Sequence, residues 1–600
     1  MAKELPKRSE VKKEDTWALN DMYENLTAWE NDIESARALS FEIESAKAQI
    51  TESGKGLYEI LEKDMECSKK LSLAANYAHR ASDVDTRDTK NLANARKIDS
   101  IVVEISSRLA FLEPMILEIP EDILEDFYRD EPRLEAYRIY IDEIKRLKDH
   151  RLSQEMEALL ASAGEISRAP GEIFSIFNNA DLQFPEIEDE NGEKIRITHG
   201  RYITFLNSPD QRLRREAFTG LYQTYDHYKN TLATVYDSQV KQLMFKARAR
   251  RYSSTLEAAV SATNVSPAVY DNLIEAVNEN MDKMYRYVGI RKKCLGLDEL
   301  HMYDIYVPMI SDVDKRIPFE EAKETVLKAL APLGNRYVDL VKQGFDSRWI
   351  DIYENEGKRS GAYSAGAYGV HPYVLLNYDG ILNDMFTLAH EMGHAMHSFF
   401  SNEAQLYHNA DYRIFVAEVA STCNEVLLIE YLLKHTTDKK EKAYLINHFL
   451  DSFRTTVYRQ TMFAEYEKMT NAMAEKGESL TADVLKKIYY DLNCKYYGPD
   501  MVSDEEIAME WARIPHFYYN FYVYQYATGF CAAVAIARRI LKEGESAVWD
   551  YLEFLKSGCT KSPVELLKIA GVNMETKEPI QAALHVFDEL MDEMEQLISE

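Results

Sequence analysis

The stretch Asn383–Phe400 contains His390-Glu391-Met392-Gly393-His394, and its reading decides the fold. Met385, Phe386, Leu388 and Ala389 precede the pentapeptide at helical spacing, so the segment predicts an amphipathic helix. On a helix, residues at i and i+4 share a face and stand about 5–6 Å apart at Cβ. His390 and His394 therefore point the same way, and two imidazoles so placed can converge on one Zn²⁺ at about 2.0–2.1 Å. Glu391 lies beside that point, where a carboxylate can take a proton from water. Gly393 costs the helix roughly 0.5–1 kcal/mol against alanine. Close approach of a second helix would justify it; a neutral accident is the alternative.

Working outward, a catalytic zinc site needs a third protein ligand and one open position. No histidine follows at the short metzincin spacing. His397 is three residues past His394 but roughly 60° round the helix, which suits packing or support of a ligand. Glu418, in Phe415-Val416-Ala417-Glu418-Val419-Ala420-Ser421, is the better candidate. An ionised carboxylate in so apolar a helix is expensive unless it is paired or metal-bound. Glu425 lies two turns further on the same face. It suits either a hydrogen bond from a ligating imidazole or an ion pair with a cation.

Upstream, His301 to Tyr378 changes style. Met302–Val307 and Trp349–Tyr353 alternate and carry β-formers, three glycines follow in 361–369, and Tyr373–Leu376 makes a short apolar run closed by Asp379-Gly380. These predict a small sheet before the histidine helix. The glycine-rich segment suits an edge to which a peptide adds as a strand, or a plain turning loop. Elsewhere the pattern is helical. Leu19-Met22-Tyr23-Leu26 and Leu57-Ile60-Leu61 show the period, and Ser208-Pro209 and Ser266-Pro267 read as helix starts. The exception is a hairpin predicted at Phe184–Tyr202 around Asn191-Gly192.

Only 23 glycines and 16 prolines in 600 residues permit long helices, so the chain is expected to be mainly α. The net charge of −29 argues against nucleic acid and anionic membranes as partners. Six scattered cysteines form no C-x-x-C pair and read as buried free thiols of a reducing compartment. The charged N-terminus has no apolar signal region, so a cytoplasmic protein is expected. Tyr518–Ala537 is uncharged and long enough to span a bilayer, but tyrosines crowd its first half, which fits the wall of a polar cavity. Read as a helix, it puts Tyr522 and Tyr526 on one face and Tyr524 about 160° away from Tyr522. Phenols there can donate to an oxyanion; core packing is the other reading.

Taken together, these motifs resemble the oligoendopeptidase F branch of the thimet oligopeptidase family of zinc peptidases. The resemblance is carried by His390–His394 with Phe415–Glu418, by Gly357–Ser364 upstream, by Pro515–Tyr526 downstream, and by Asp15-Thr16-Trp17 with Asp21-Met22-Tyr23. It implies a mainly α, two-lobed, clam-like zincin with a small β-sheet beside the zinc-binding helix and a deep substrate channel. It implies an N-terminal helical lobe over 1–200, ending in the hairpin, and a catalytic domain over 201–600 with C-terminal helices. His390, His394 and Glu418 would bind one Zn²⁺ per chain. Glu391 would be the general base, Tyr522 and Tyr526 the transition-state donors, and His516 a further member of that segment. The implied activity is cleavage of internal bonds in short peptides. The rivals are a zinc carboxypeptidase or dipeptidyl carboxypeptidase, for which Arg513 would be a carboxylate anchor, and a non-catalytic peptide binder, against which the intact Glu391 argues.

Overall fold

The computed structural model describes residues 4–310 and 316–599, the side chain of residue 154 apart. Met1-Ala2-Lys3, where the charged N-terminal stretch begins, falls outside the described residues. The protein is mainly helical with short strands in small sheets. Strands β1 (Glu186–Glu188) and β2 (Lys194–Arg196) form the predicted antiparallel hairpin, with Ile187 opposite Ile195. Its turn is longer than an Asn-Gly pair. Gly192 is left-handed at φ 81° while Asn191 is not, and the Asp189 amide donates to Glu193 O at 2.9 Å. That is a three-residue loop closed by a glycine bulge.

Strand β3 (Leu300–His301) is followed by β4 (Ile350–Asp351), β5 (Tyr363–Ala365), β6 (Tyr373–Leu375) and β7 (Met501–Val502). β3 pairs with β7 in parallel. β6 is central to a three-stranded sheet, parallel to β4 and antiparallel to β5, so β5 is an edge. The strand predicted at Met302–Val307 does not form. Residues Met302–Asp304 coil into a 3₁₀ turn because the Asp304 carboxylate accepts from the His301 amide at 3.0 Å. Arg214 also grips that carboxylate, at 2.9 and 2.8 Å. The alternation was misleading because Met302, Tyr303, Asp304 and Ile305 are all buried. The expected helix start at Ser208-Pro209 is also displaced. The helix is Gln211–His227, and Asp210 caps it by accepting from the Arg212 and Leu213 amides. Ser266 caps Pro267–Asn278 as predicted.

The chain divides into two compact units, each of three segments. The first comprises Met1–Asp149, Lys315–Tyr431 and Ile536–Gly571; the second His150–Asp314, Leu432–Ala535 and Val572–Glu600. The hairpin and residue 200 lie within the second unit's first segment.

In the first unit, α1 (Leu26–Ala46), α2 (Gly54–Asp83) and α3 (Thr89–Leu109) build one core. Asn25, Ser53 and Asp88 start these helices by accepting amide hydrogens of the first turn. Trp29, Ile33, Ala36 and Ile43 recur at helical spacing on α1 and bury against Leu57, Ile60 and Leu61 of α2 and Ile98, Ile101 and Ile105 of α3. Each such large side chain contributes about 1.5–3 kcal/mol on burial. Tyr373 and Leu375 of β6 join the same core, tying the sheet to it.

The second unit has a polar-edged, tyrosine-rich interior, which accounts for part of the chain's 39 tyrosines. Buried phenols need partners. Tyr222 donates to Glu510, Tyr270 to Ala464 O and Tyr458 to Asn280 O, at 2.7–2.9 Å. Burial opposes ionisation of Glu510, but the Arg459 guanidinium wins and holds it down at about 2. No described helix is long and apolar enough to cross a membrane. The cysteines are unpaired; Cys67, Cys423 and Cys531 are buried as expected, while Cys494 is exposed.

Candidate active site

Helix α4 (Leu382–Ala404) carries the H-E-x-x-H pentapeptide. It starts where the sequence turns at Asp379-Gly380, because the Asp384 carboxylate accepts from the amides of Asp379, Gly380 and Ile381 at 2.8–3.1 Å. Its apolar stripe, from Met385 through Leu388, Met392, Ala395 and Met396 to Phe400, is buried. Helix α5 (Ile414–His435) crosses it closely. A Cβ on Gly393 would stand 2.5 Å from Ser421 Cα and 2.7 Å from Ala420 O, so any side chain there forces the helices apart. The close approach that would justify a helical glycine is therefore present. Asn424 of α5 donates to Ala389 O at 3.1 Å and accepts from the Tyr337 hydroxyl at 2.9 Å, which fixes the crossing.

That crossing brings His390, His394 and Glu418 together, their ligand atoms all within 4.8 Å of one another. Glu418 Oε2 is 3.4 Å from His390 Nε2 and 3.5 Å from His394 Nε2. Around a tetrahedral ion at about 2.0–2.1 Å, neighbouring ligand atoms stand roughly 3.3–3.4 Å apart. The donor set matches that spacing. Glu425 Oε1 meets His390 Nδ1 at 2.5 Å, which leaves Nε2 of that ring facing Glu418. Three carboxylates, Glu391, Glu418 and Glu425, thus surround two imidazoles, an excess of negative charge that a divalent cation would offset. Burial opposes protonation of His390, yet its hydrogen bonds to the Glu418 and Glu425 carboxylates outweigh it and lift the ring to about 10. Burial likewise opposes ionisation of Glu418, but the two imidazoles hold it well below the ordinary carboxylate range. The residues fit a metal ion.

Glu391 is buried beside this set, and its Oε2 has no hydrogen-bond partner. Burial raises its pKa against the pull of the two histidines. His397 turns away. It stacks on Tyr412 at 3.6 Å and 3°, with Phe554 at 5.3 Å, and burial drives it down to about 3. It is a packing residue.

The tyrosine segment lies in the second unit and is not the helix its spacing suggested. Pro515–Tyr518 is a 3₁₀ turn, Asn520 and Phe521 are left-handed at φ 58° and 56°, and helix α7 (Tyr524–Glu543) begins only beyond them; helix α6 (Arg459–Glu475) lies earlier in the chain. Tyr522 thus precedes α7, and the i, i+4 argument fails. The rings meet all the same. Tyr522 and Tyr526 stand 5.3 Å apart at 85°. His516 lies 6.3 Å from Tyr522 and 5.8 Å from Tyr526, its Nε2 3.4 Å from the Tyr526 hydroxyl. Tyr518 and Tyr524 pack elsewhere, the half-buried first stacked on Phe174 at 4.4 Å and the buried second 5.0 Å from Tyr270. Sequence reasoning missed Glu467 of α6, buried and bonded to the Phe521 amide. A signal was available: a carboxylate one residue after Tyr466 and four after Phe463, on the apolar stripe.

The family model described as Peptidase family M3 matches residues 204–586, and that described as Oligopeptidase F matches 116–184. The oligopeptidase PepF of Bacillus subtilis is 46% identical over 597 residues, covering 100% of this chain and 89% of that protein. The crystal structure of oligoendopeptidase-F from Enterococcus faecium superposes with a TM-score of 0.74 at 38% identity, covering 95% of this chain and 98% of that one. A crystal structure from Chlamydophila abortus gives a TM-score of 0.92 at 35% identity, covering 99% and 100%. Helical fold, ligand set and these similarities define the class as metalloendopeptidase. Within that class, the chain belongs to peptidase family M3.

Proposed function

We propose that the protein is a zinc-dependent endopeptidase that hydrolyses internal bonds of short oligopeptides in the cytoplasm. The observation that supports this best is the spacing of His390 Nε2, His394 Nε2 and Glu418 Oε2, with Glu391 alongside. His390, His394 and Glu418 would hold the zinc, and Glu425 would keep His390 in the ligating tautomer through Nδ1. When bound, zinc supplies a Lewis acid that activates water and polarises the scissile carbonyl. Glu391 takes the proton from the attacking water at Oε2, the atom without a partner, and returns it to the leaving amine. Its burial favours the first move, because a carboxylate that ionises less readily is a stronger base. Tyr522 and Tyr526 donate to the developing oxyanion, and His516 orients the Tyr526 hydroxyl. The β5 edge receives the substrate backbone as a strand. In this reading residues 1–200 form an N-terminal lobe and 201–600 the catalytic domain.

The carboxypeptidase reading loses its anchor. Arg513 is largely buried, 3.8 Å from Glu510 and 4.9 Å over the Tyr202 ring. Mass analysis of products from peptides of graded length tests the proposal. Internal cuts are expected; stepwise release from the C-terminus, or no products, would overturn it.

A further inference from the structure

The bend at Asn520–Phe521 has an unusual support. Asparagine tolerates the left-handed region, but a bulky aromatic residue adopts it only where its surroundings over-determine it. Phe521 is held in two ways. Its ring is 2% exposed and lies 5.8 Å from Tyr270. Its amide donates to Glu467 Oε1 at 2.6 Å. Glu467 is itself 1% exposed, and its Oε2 has no hydrogen-bond partner. A buried carboxyl is costly, and this one makes a single side-chain hydrogen bond, to the bent backbone. The next residue along the chain is Tyr522.

We propose that Glu467 is the positioning residue for Tyr522: from α6 it holds the left-handed Asn520–Phe521 bend through the Phe521 amide, and so sets where the Tyr522 hydroxyl is presented. Glu467 does not touch the reacting atoms. The inference rests on the reading of Tyr522 as an oxyanion donor, and the tests separate the two. Glutamine keeps an acceptor oxygen at the same reach; alanine removes it; aspartate keeps the carboxyl but withdraws it by about 1.5 Å, one carbon–carbon bond.

Steady-state kinetics on the zinc enzyme give the first readout. E467A and E467D should lose up to about 10²-fold in kcat with KM little changed, and E467Q should restore most of that loss. In a Y522F background, E467A should add little further loss, because both changes remove one donor. Hydrogen exchange over residues 516–526 gives the second readout: protection should fall in E467A and E467D and return in E467Q. If E467A does not fold, E467D carries both measurements. Unchanged protection in E467A or E467D overturns the proposal. So does an equal loss of kcat with and without the Tyr522 hydroxyl, or failure of glutamine to rescue. Full kcat in Y522F alone overturns the reading of Tyr522 instead, and exchange still judges whether Glu467 holds the bend.

Discussion

The ligand cluster of the first unit and the tyrosine cluster of the second are built on opposite plans. His390, Glu391, His394 and Glu418 stand on two long helices locked by backbone contact at Gly393 and by Asn424. Their geometry follows from the helix period. His516, Tyr522 and Tyr526 stand on a 3₁₀ turn, a left-handed bend and the first turn of α7. The bend among them is held by the packing of the Phe521 ring and by a hydrogen bond to a residue far away in sequence. The first plan writes the spacing of the candidate ligands into local sequence. The second rests on contacts between segments far apart in sequence.

The comparison predicts that variants in the two clusters fail differently. The largest effect is expected from Glu418→Ala, which removes one of the three proposed ligands. Metal analysis should find zinc largely lost and turnover with it; full zinc content would mean the wrong carboxylate has been assigned. Glu391→Gln comes next: zinc stays stoichiometric while kcat falls by at least roughly 10²–10⁴. Near-normal turnover in that variant refutes the role of Glu391. Tyr522→Phe and Tyr526→Phe should each cost about 10²–10³ in kcat at unchanged zinc content and little change in KM. Tyr524→Phe is the control, since its ring is buried against Tyr270; it should affect thermal stability only. If Tyr524→Phe is the most damaging of the three, the cluster has been drawn wrongly. Glu425→Ala should weaken zinc by about 10–100-fold in a chelator titration, short of Glu418→Ala.

The smallest effect separates the plans by pH. Burial lifts Glu467 to about 8 against the Phe521 amide, which pulls it down. Below about pH 4.5 both folded and unfolded chains hold this proton. Between there and about pH 8 the unfolded chain sheds it while the folded chain keeps it, so this carboxyl makes stability fall as pH rises. Denaturation of Glu467→Gln should show a shallower decline across that window than the parent. An unchanged slope would mean that Glu467 titrates normally.

The same contrast explains what was legible in the sequence. His390 and His394 could be placed because a helix repeats every 3.6 residues, and Glu418 because a carboxylate in an apolar helix needs a partner. The helical class followed from scarce breakers, and the sheet from β4 and β6. Tyr522 and Tyr526 were brought together by the wrong argument. Their spacing was read as helical, whereas Asn520 and Phe521 break the helix before it begins. Nothing local marks Phe521 as left-handed. A carboxylate that holds its amide sits on α6, more than fifty residues earlier, and long-range contacts leave little trace in periodicity. At Met302–Val307 the alternation recorded burial on every side, and Asp304 turned the chain instead.

The contact at Gly393 also has a consequence for ion size. Histidines on one helix and a carboxylate on the other face each across a gap set by backbone touching backbone, 2.5 Å from where a Cβ would be. Backbone is the least compressible gauge a protein has. A larger cation such as Ca²⁺, whose ligands stand at about 2.3–2.6 Å, needs a wider cage and more oxygens than this crossing presents. The helices cannot part without breaking the Asn424 lock, so only side-chain torsions remain to widen it. The glycine therefore acts as a spacer, fixing how near the carboxylate-bearing helix stands to the two histidines.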